Sequence, residues 1–189
     1  ISYIKQLQQL LPNVTIIPMY GLTECKRVSI MPQNQLTAHM GSVGLPLPGT
    51  SVSIIDETEQ IAPPGIIGEL TVRGPHIMDG YWNNPEETAK RFRIDNLSGE
   101  LVLHTGDNFY IDSDGFLYFV GRGEMFIKSR GHKISPIEIE TVIYKLDGVV
   151  ETAIIGVPDA IYGESIWAFV SLANPELVDI SEIKKYCKN

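Results

Sequence analysis

Three short segments of this chain carry side chains suited to a phosphorylated ligand. The first is Tyr20-Gly21-Leu22-Thr23-Glu24, at the end of an apolar run. Tyr20 offers a flat face to a base and a hydroxyl at its edge. Gly21 lets the backbone approach a ligand or take a positive φ. Thr23 offers a donor and two acceptor sites to a phosphate oxygen. Glu24 is a hard oxygen ligand suited to Mg²⁺, which takes one or two carboxylates plus phosphate oxygens. The same five residues also read as a surface turn before a helix, with Thr23 as its cap. The second segment, Thr105-Gly106-Asp107, ends in a carboxylate able to accept both hydroxyls of a ribose, or is a plain turn. The third, Gly121 to Glu140, gathers Arg122, Lys128, Arg130 and Lys133 in an otherwise acidic chain. Gly121 and Gly123 flank Arg122, so a flexible joint beside an arginine would suit a moving element that meets anions. A solvated β-ribbon is the plainer account.

The elements that must position these groups follow from periodicity and turn chemistry. Ile1, Ile4, Leu7 and Leu11 share one helical face, which Pro12 and Asn13 end. Residues 14–20, "VTIIPMY", read as a buried strand, and 31–50, rich in proline and glycine, as an irregular connection. Residues 51–56 and 67–74 are strand-like around an "APPG" turn. Asn84, Pro85 and Glu87 predict a capped helix, with Lys90 and Arg91 in its last turn. Residues 101–107, 108–112 and 115–122 predict a run of short strands, the last two joined by a "DSDG" hairpin turn whose glycine comes too early for an EF-hand loop. Beyond Arg122 the sequence predicts a two-strand ribbon turned at Gly131. A capping box opens a helix at "SPIE", with Ile139, Val142, Ile143 and Leu146 at helical spacing. Two strands follow, and a last helix begins at "DISEIKKYCKN". The expected class is α+β: a mainly β, distorted barrel-like region with flanking helices over 1–122, then a small, truncated α+β domain over 123–189.

Bulk properties narrow the partners. The net charge of −8 argues against a broad nucleic-acid or anionic-membrane surface. Two distant cysteines make neither a disulfide framework nor a zinc spacing and suit the cytoplasm. No apolar run reaches bilayer length. The chain lacks a starting methionine and ends inside a β-α-β pattern, so it is expected to be processed or cut from something longer, with apolar surface exposed that favours self-association.

The motifs "YGLTE", "HTGD" and "GR…IKSRGHKISPIEIE", with "GELTVRGPHIMDGYWNNPEETAKRF" between the first two, resemble in type and order the core motifs of the adenylate-forming enzymes. That family holds acyl-CoA synthetases, peptide-synthetase adenylation domains and luciferases. The resemblance implies that a carboxylate attacks the α-phosphate of ATP and that a thiol then takes the acyl group from AMP. It places Tyr20 on adenine, Gly21 among the nucleotide-binding residues, Thr23 at the α-phosphate region, Glu24 on Mg²⁺, and Asp107 and Arg122 on the ribose. It makes Glu124 the pivot of a mobile C-terminal domain, although aspartate or lysine is usual there. Lys128 and Gly131 would enter the site in the second conformation, Gly131 leaving room for a pantetheine arm.

The same resemblance predicts a Ser/Thr/Gly-rich phosphate loop well before "YGLTE", but only 19 residues precede Tyr20. It also predicts a late lysine, and no Gly-Lys pair follows residue 140. Losing a central electrostatic donor costs about 10²–10³ in rate. The parent is therefore expected to be an enzyme and the chain alone to be inactive, with weak ATP affinity. "VVETAIIGVPDAIYGESIWAFV" and "RGHKISP" resemble acyl-CoA synthetases more than peptide-synthetase domains, so CoA is the expected acceptor. A phosphopantetheinyl carrier protein, or a non-catalytic nucleotide-binding module, remains open, and the acid substrate is not legible. Lys26 and Arg27 would meet an acidic substrate or carrier, or form a solvated face.

Overall fold

The computed structural model describes residues 2–96, 98–174 and 180–187, except the side chains of Ser2, Glu124, Ile180 and Glu182. The chain forms two compact units, Ile1–Phe119 and Val120–Asn189. The structure is mostly β with a few short helices.

In the first unit, α1 (Ser2–Leu10) sends Ile4 into a small cluster with Met31, Leu36 and Phe116. Leu7 and Leu11, on its expected apolar face, stay largely exposed. The "VTIIPMY" run is not a buried strand. Val14, Ile17 and Met19 are exposed, and only β1 (Met19–Tyr20) pairs, with β2 (Ser29–Ile30), which pairs in turn with β3 (Leu45–Pro46). Pro18, without an N–H, can offer a neighbour only its carbonyl, which accepts from Met31 N–H.

The main sheet is antiparallel, in the order β4 (Ser51–Ile55), β5 (Gly68–Arg73), β7 (Leu101–Ile111), β6 (Phe92–Ile94), with β8 (Leu117–Arg122) also paired to β7. Leu70 and Val72 of β5, Leu103 and Phe109 of β7, and Leu117 of β8 are fully buried in its core. The barrel-like closure expected from sequence is absent: among the described residues no sheet closes. Closure needs edge strands long enough to tilt and stagger around to each other, and β4 and β6 have five and three residues.

The helix α2 (Pro85–Arg91) starts as its sequence requires, with Asn84 Oδ1 accepting from Glu87 N–H at 3.1 Å. The two strands expected over 101–112 are one continuous strand, β7. The residues between them form a bulge rather than a turn. Thr71 pairs with His104 and Glu69 with Asn108, so Thr105, Gly106 and Asp107 stand opposite Leu70 alone. Gly106 takes φ 73°, where a side chain would be strained. The "DSDG" segment is the hairpin turn, its Asp112 Oδ1 accepting from the N–H groups of Asp114 and Phe116.

In the second unit the sheet runs β10 (His132–Ile134), β9 (Ile127–Ser129), β12 (Gly163–Leu172), β11 (Val149–Asp159). Ile127, Ile143 and Ile154 form its core beneath α3 (Pro136–Ile143) and α4 (Ile180–Tyr186). The capping box at α3 is not made. Ser135 is buried and its hydroxyl donates to Val120 O at 2.8 Å instead of capping the helix. A buried hydroxyl satisfies whichever acceptor packing brings close, and here that is a strand carbonyl.

Candidate functional site

The loop from Tyr20 to Val28 leaves β1 and returns to β2. Cys25 N–H donates to Leu22 O at 3.2 Å and Val28 N–H to Tyr20 O at 2.9 Å. Cys25 and Val28 are buried in the main core and anchor the loop. Gly21 crosses so near the loop's return that a Cβ would fall on the carbonyl oxygen of Lys26. Its glycine is therefore explained by this backbone crossing. No helix begins at Thr23, so the capping account fails. The Thr23 side chain is exposed, and its hydroxyl has no hydrogen bond among the described residues.

Two carboxylate–phenol pairs build the rest of the corner. The Tyr20 hydroxyl donates to Asp107 Oδ2 at 2.6 Å, joining residues 87 apart in sequence. Its ring meets Phe109 edge-on, with centroids 4.7 Å apart. Burial, then the hydrogen bond to Asp107, pushes the Tyr20 phenol far above its ordinary range, so it stays a donor. The Tyr81 hydroxyl donates to Glu24 Oε1 at 2.6 Å. Burial and the same carboxylate raise the Tyr81 phenol to about 12. Glu24 O also accepts from Met78 N–H at 2.9 Å, tying the loop to the segment before α2. Glu24 Oε2 has no partner among the described residues and is open to a cation. Among those residues no three His, Cys, Asp or Glu converge, so a metal here would take little more than this one carboxylate from the protein and complete its shell with phosphate or water oxygens. The Cys25 thiol, raised to about 11 by burial and by the Glu24 charge, is no nucleophile at neutral pH.

The bulge aims Asp107. Thr105 Oγ1 donates to Leu70 O at 2.7 Å and accepts from Asp107 N–H at 3.1 Å. Glu69 holds the turn from the other strand: Oε1 accepts from Gly106 N–H at 2.8 Å, and Oε2 lies 3.1 Å from His104 Nδ1. Burial opposes ionisation of Glu69, but the bonds from His104 and Gly106 prevail and hold its carboxyl below the usual range. Sequence reasoning missed Tyr81 and Glu69. Their only local signal is an aromatic beside Gly80 and an acid near the start of a strand whose next three residues, Leu70 to Val72, are apolar or β-branched.

Arg122, Glu124, Lys128 and Gly131 belong to the second unit. Arg122 is exposed at the end of β8, and Glu124 lies in the 3-10 turn Gly123–Met125. Lys128 is exposed on β9, its backbone N–H donating to the Glu164 carboxylate. Gly131 sits at the ribbon's tip with φ 79°, and a Cβ there would meet no heavy atom within 4 Å. Beside it the Arg130 guanidinium lies 4.3 Å above the Tyr162 ring.

Residues 1–82 match the model of the AMP-binding enzyme family, and residues 138–189 match that of the AMP-binding enzyme C-terminal domain. A long-chain-fatty-acid–CoA ligase from Salmonella typhimurium is 39% identical over 160 residues, 85% of this chain. The chain spans only 28% of that relative's length. Among solved structures, o-succinylbenzoate CoA synthetase from Bacillus subtilis, in complex with its acyl-adenylate intermediate, matches 99% of this chain and 37% of its own, with TM-score 0.86 and 29% identity. ATP-bound MatB from Rhodopseudomonas palustris matches 93% of this chain and 34% of its own, with TM-score 0.81 and 34% identity.

Proposed function

The chain belongs to the AMP-binding enzyme family, and from that premise we propose that its residues serve an ATP-dependent carboxylic acid–thiol ligase acting on CoA. In the first half-reaction a carboxylate oxygen attacks the α-phosphorus of ATP. A C–O–P mixed anhydride forms and the bond to pyrophosphate breaks. In the second, the thiol sulfur attacks the acyl carbon, AMP leaves, and the thiol proton goes to solvent. No protein nucleophile is needed, only positioned charge and donors.

The observation that carries this reading is the Tyr20–Asp107 hydrogen bond beside Glu24, which joins two distant motifs in one corner. We assign Asp107 to the ribose hydroxyls, with Arg122 as its second contact. Tyr20 faces the base and also holds the Asp107 carboxylate, and Gly21 lets the backbone lie close to the nucleotide. Thr23, with its unused hydroxyl, meets the α-phosphate. Glu24 Oε2 would hold Mg²⁺, which when bound neutralises charge on the departing pyrophosphate. We assign residues 1–122 to the end of the large nucleotide-binding domain and 123–189 to the start of a small mobile one. Glu124 is then the hinge, Lys128 a cation for the thioester step, and Gly131 part of the pantetheine channel.

No helix among the described residues is long and apolar enough to cross a membrane. Both cysteines are free, which supports a reducing, cytoplasmic setting. Exposed apolar side chains such as Trp82 and Ile161 support self-association, which light scattering would show as a mass that rises with concentration.

The test is ATP–pyrophosphate exchange by the full-length gene product. Exchange that depends on an added acid, followed by thioester formation with CoA, is the expected result. Thioester on a phosphopantetheinyl carrier but not on CoA would reassign the acceptor. No exchange with any acid would leave a nucleotide-binding module and overturn the ligase reading.

A further inference from the structure

A cleft of about 550 Å³ opens in the first unit, beginning at the residue after Glu24. Leu47, Pro48 and Pro75 form apolar walls, and Lys26, Arg27 and His76 supply its ionisable nitrogen groups. No carboxylate lines it. Four other cations of this unit have carboxylate partners, and Lys5 on α1 has none among the described residues: Arg73 pairs with Asp95, Lys90 with Glu86 and Glu87, Arg91 with Glu87, and Arg93 with Glu59. Lys26 and Arg27 stand side by side, exposed, and make no ion pair or side-chain hydrogen bond among the described residues. In a chain of net charge −8, this adjacent pair lines a cavity that carries no carboxylate to neutralise it.

The loop that presents them is held firmly. Cys25 is buried just before them, Val28 just after, and Lys26 is held at φ 56° where its carbonyl backs onto Gly21. Non-glycine residues adopt that backbone region at a cost, so packing imposes the conformation. His76 also lines the cleft, but its Nε2 is closed to solvent and has no hydrogen-bond partner among the described residues, so that atom is not offered to the cleft.

We propose that this cleft binds an oxyanion. On the ligase reading, on which this inference rests, that oxyanion is a second carboxylate of the acid substrate. The cleft starts where the Glu24 corner ends, so an acid activated at that corner extends its far end between Lys26 and Arg27. A guanidinium and an ammonium match a carboxylate, with charge-assisted hydrogen bonds about twice as strong as neutral ones. The apolar walls suit a short methylene or aromatic linker. A long alkyl tail would instead strip water from both cations without replacing it.

The test compares glutarate with pentanoate, and adipate with hexanoate, as substrates of the full-length gene product. The readout is the ratio of kcat/KM for diacid over monoacid. The double variant Lys26→Asn/Arg27→Gln removes both charges, and asparagine tolerates the left-handed φ at position 26. We expect the ratio to fall at least about tenfold, the size of one lost charge-assisted contact. The charge-conserving swap Lys26→Arg/Arg27→Lys keeps it. An unchanged ratio in the neutral variant overturns the proposal. So does weakened binding of inorganic phosphate with the ratio intact, which would make the oxyanion a phosphate of a cosubstrate. Should the neutral variant fail to fold, wild type decides: the diacid KM must rise with salt more steeply than the monoacid KM, and parallel curves overturn the proposal. Glutarate titrated by calorimetry separates the two readings. Binding lost in the double variant supports the cleft even where no acid supports pyrophosphate exchange.

Discussion

The loop after Tyr20 and the ribbon around Gly131 both carry candidate functional residues, and the fold treats them in opposite ways. In the first, Tyr20 and Glu24 are clasped by partners 87 and 57 residues away in sequence. In the second, Lys128 projects from a three-residue strand whose pairing to β12 is the single match Gly163–Ser129. The ribbon's tip is steadied by Arg130, through its guanidinium over Tyr162 and its N–H to Tyr162 O at 2.9 Å. The difference separates two kinds of site. A corner prebuilt from partly buried hydrogen bonds keeps its dipoles aimed before a ligand arrives, which is how electrostatic stabilisation avoids reorganisation. The exposed tip of a short ribbon, beyond the buried Ile127, costs little to rearrange and suits a group needed in one step only.

The contrast can be broken most directly at Glu24. Glu24→Gln should lower pyrophosphate exchange in the full-length gene product by about 10²–10³, the loss expected for a central charge in the site. Tyr81→Phe keeps the carboxylate and removes its donor, and should cost about tenfold, one net hydrogen bond to a charge. Exchange within threefold of wild type for Glu24→Gln would show that the corner is only structural.

Gly21→Ala tests whether the loop is as tightly closed as its crossing with Lys26 implies. Chemical denaturation should show a loss of about 3 kcal/mol, the upper range for overpacking, and an unchanged midpoint would mean the loop opens freely.

Glu69 tests the bulge. Its folded pKa lies below the ordinary 4.5, so the stability it contributes is present above that value and is lost as pH falls through the lower folded value. Melting temperature should therefore drop on acidification below pH 4.5 more steeply in wild type than in Glu69→Gln. Glu69→Ala should raise KM for ATP more than it lowers kcat, because it acts by positioning Asp107. Equal acid sensitivity of wild type and variant would remove Glu69 from this role. At the alkaline end, Tyr81 is raised from 10.0 to about 12, so its contribution is whole below pH 10 and fades as pH rises toward 12. The phenolate absorbance lost in Tyr81→Phe should report that late titration.

The smallest effect belongs to the ribbon. Arg130→Ala should cost about 0.5–1 kcal/mol, the worth of an exposed cation–π contact, in thermal unfolding of the chain. It should slow thioester formation more than pyrophosphate exchange. Equal slowing of both would erase the distinction between the two regions.

Much of this molecule is legible locally. Asn84, Pro85 and Glu87 specify a helix start, Asp112 to Gly115 a hairpin, and Arg130-Gly131 a two-residue turn. Each needs only atoms a few residues apart, so each holds in the structure. Sequence order and motif types also suffice for the family, because side-chain chemistry at fixed spacing survives without coordinates. What sequence alone missed is everything that depends on which distant atom arrives. The hydroxyl of Ser135 was available to cap α3 and bonds Val120 O instead. The 101–112 segment looked like two strands because Thr105-Gly106-Asp107 has turn chemistry, and only pairing with β5 makes it a bulge within one strand. The partners of Glu24 and Asp107, the open Oε2, and the pairing of Arg73 and Arg93 but not Lys26 and Arg27 are likewise products of packing. Local propensity acts within a turn of chain, whereas a buried hydrogen bond is chosen by the sheet register and core that bring its two ends together.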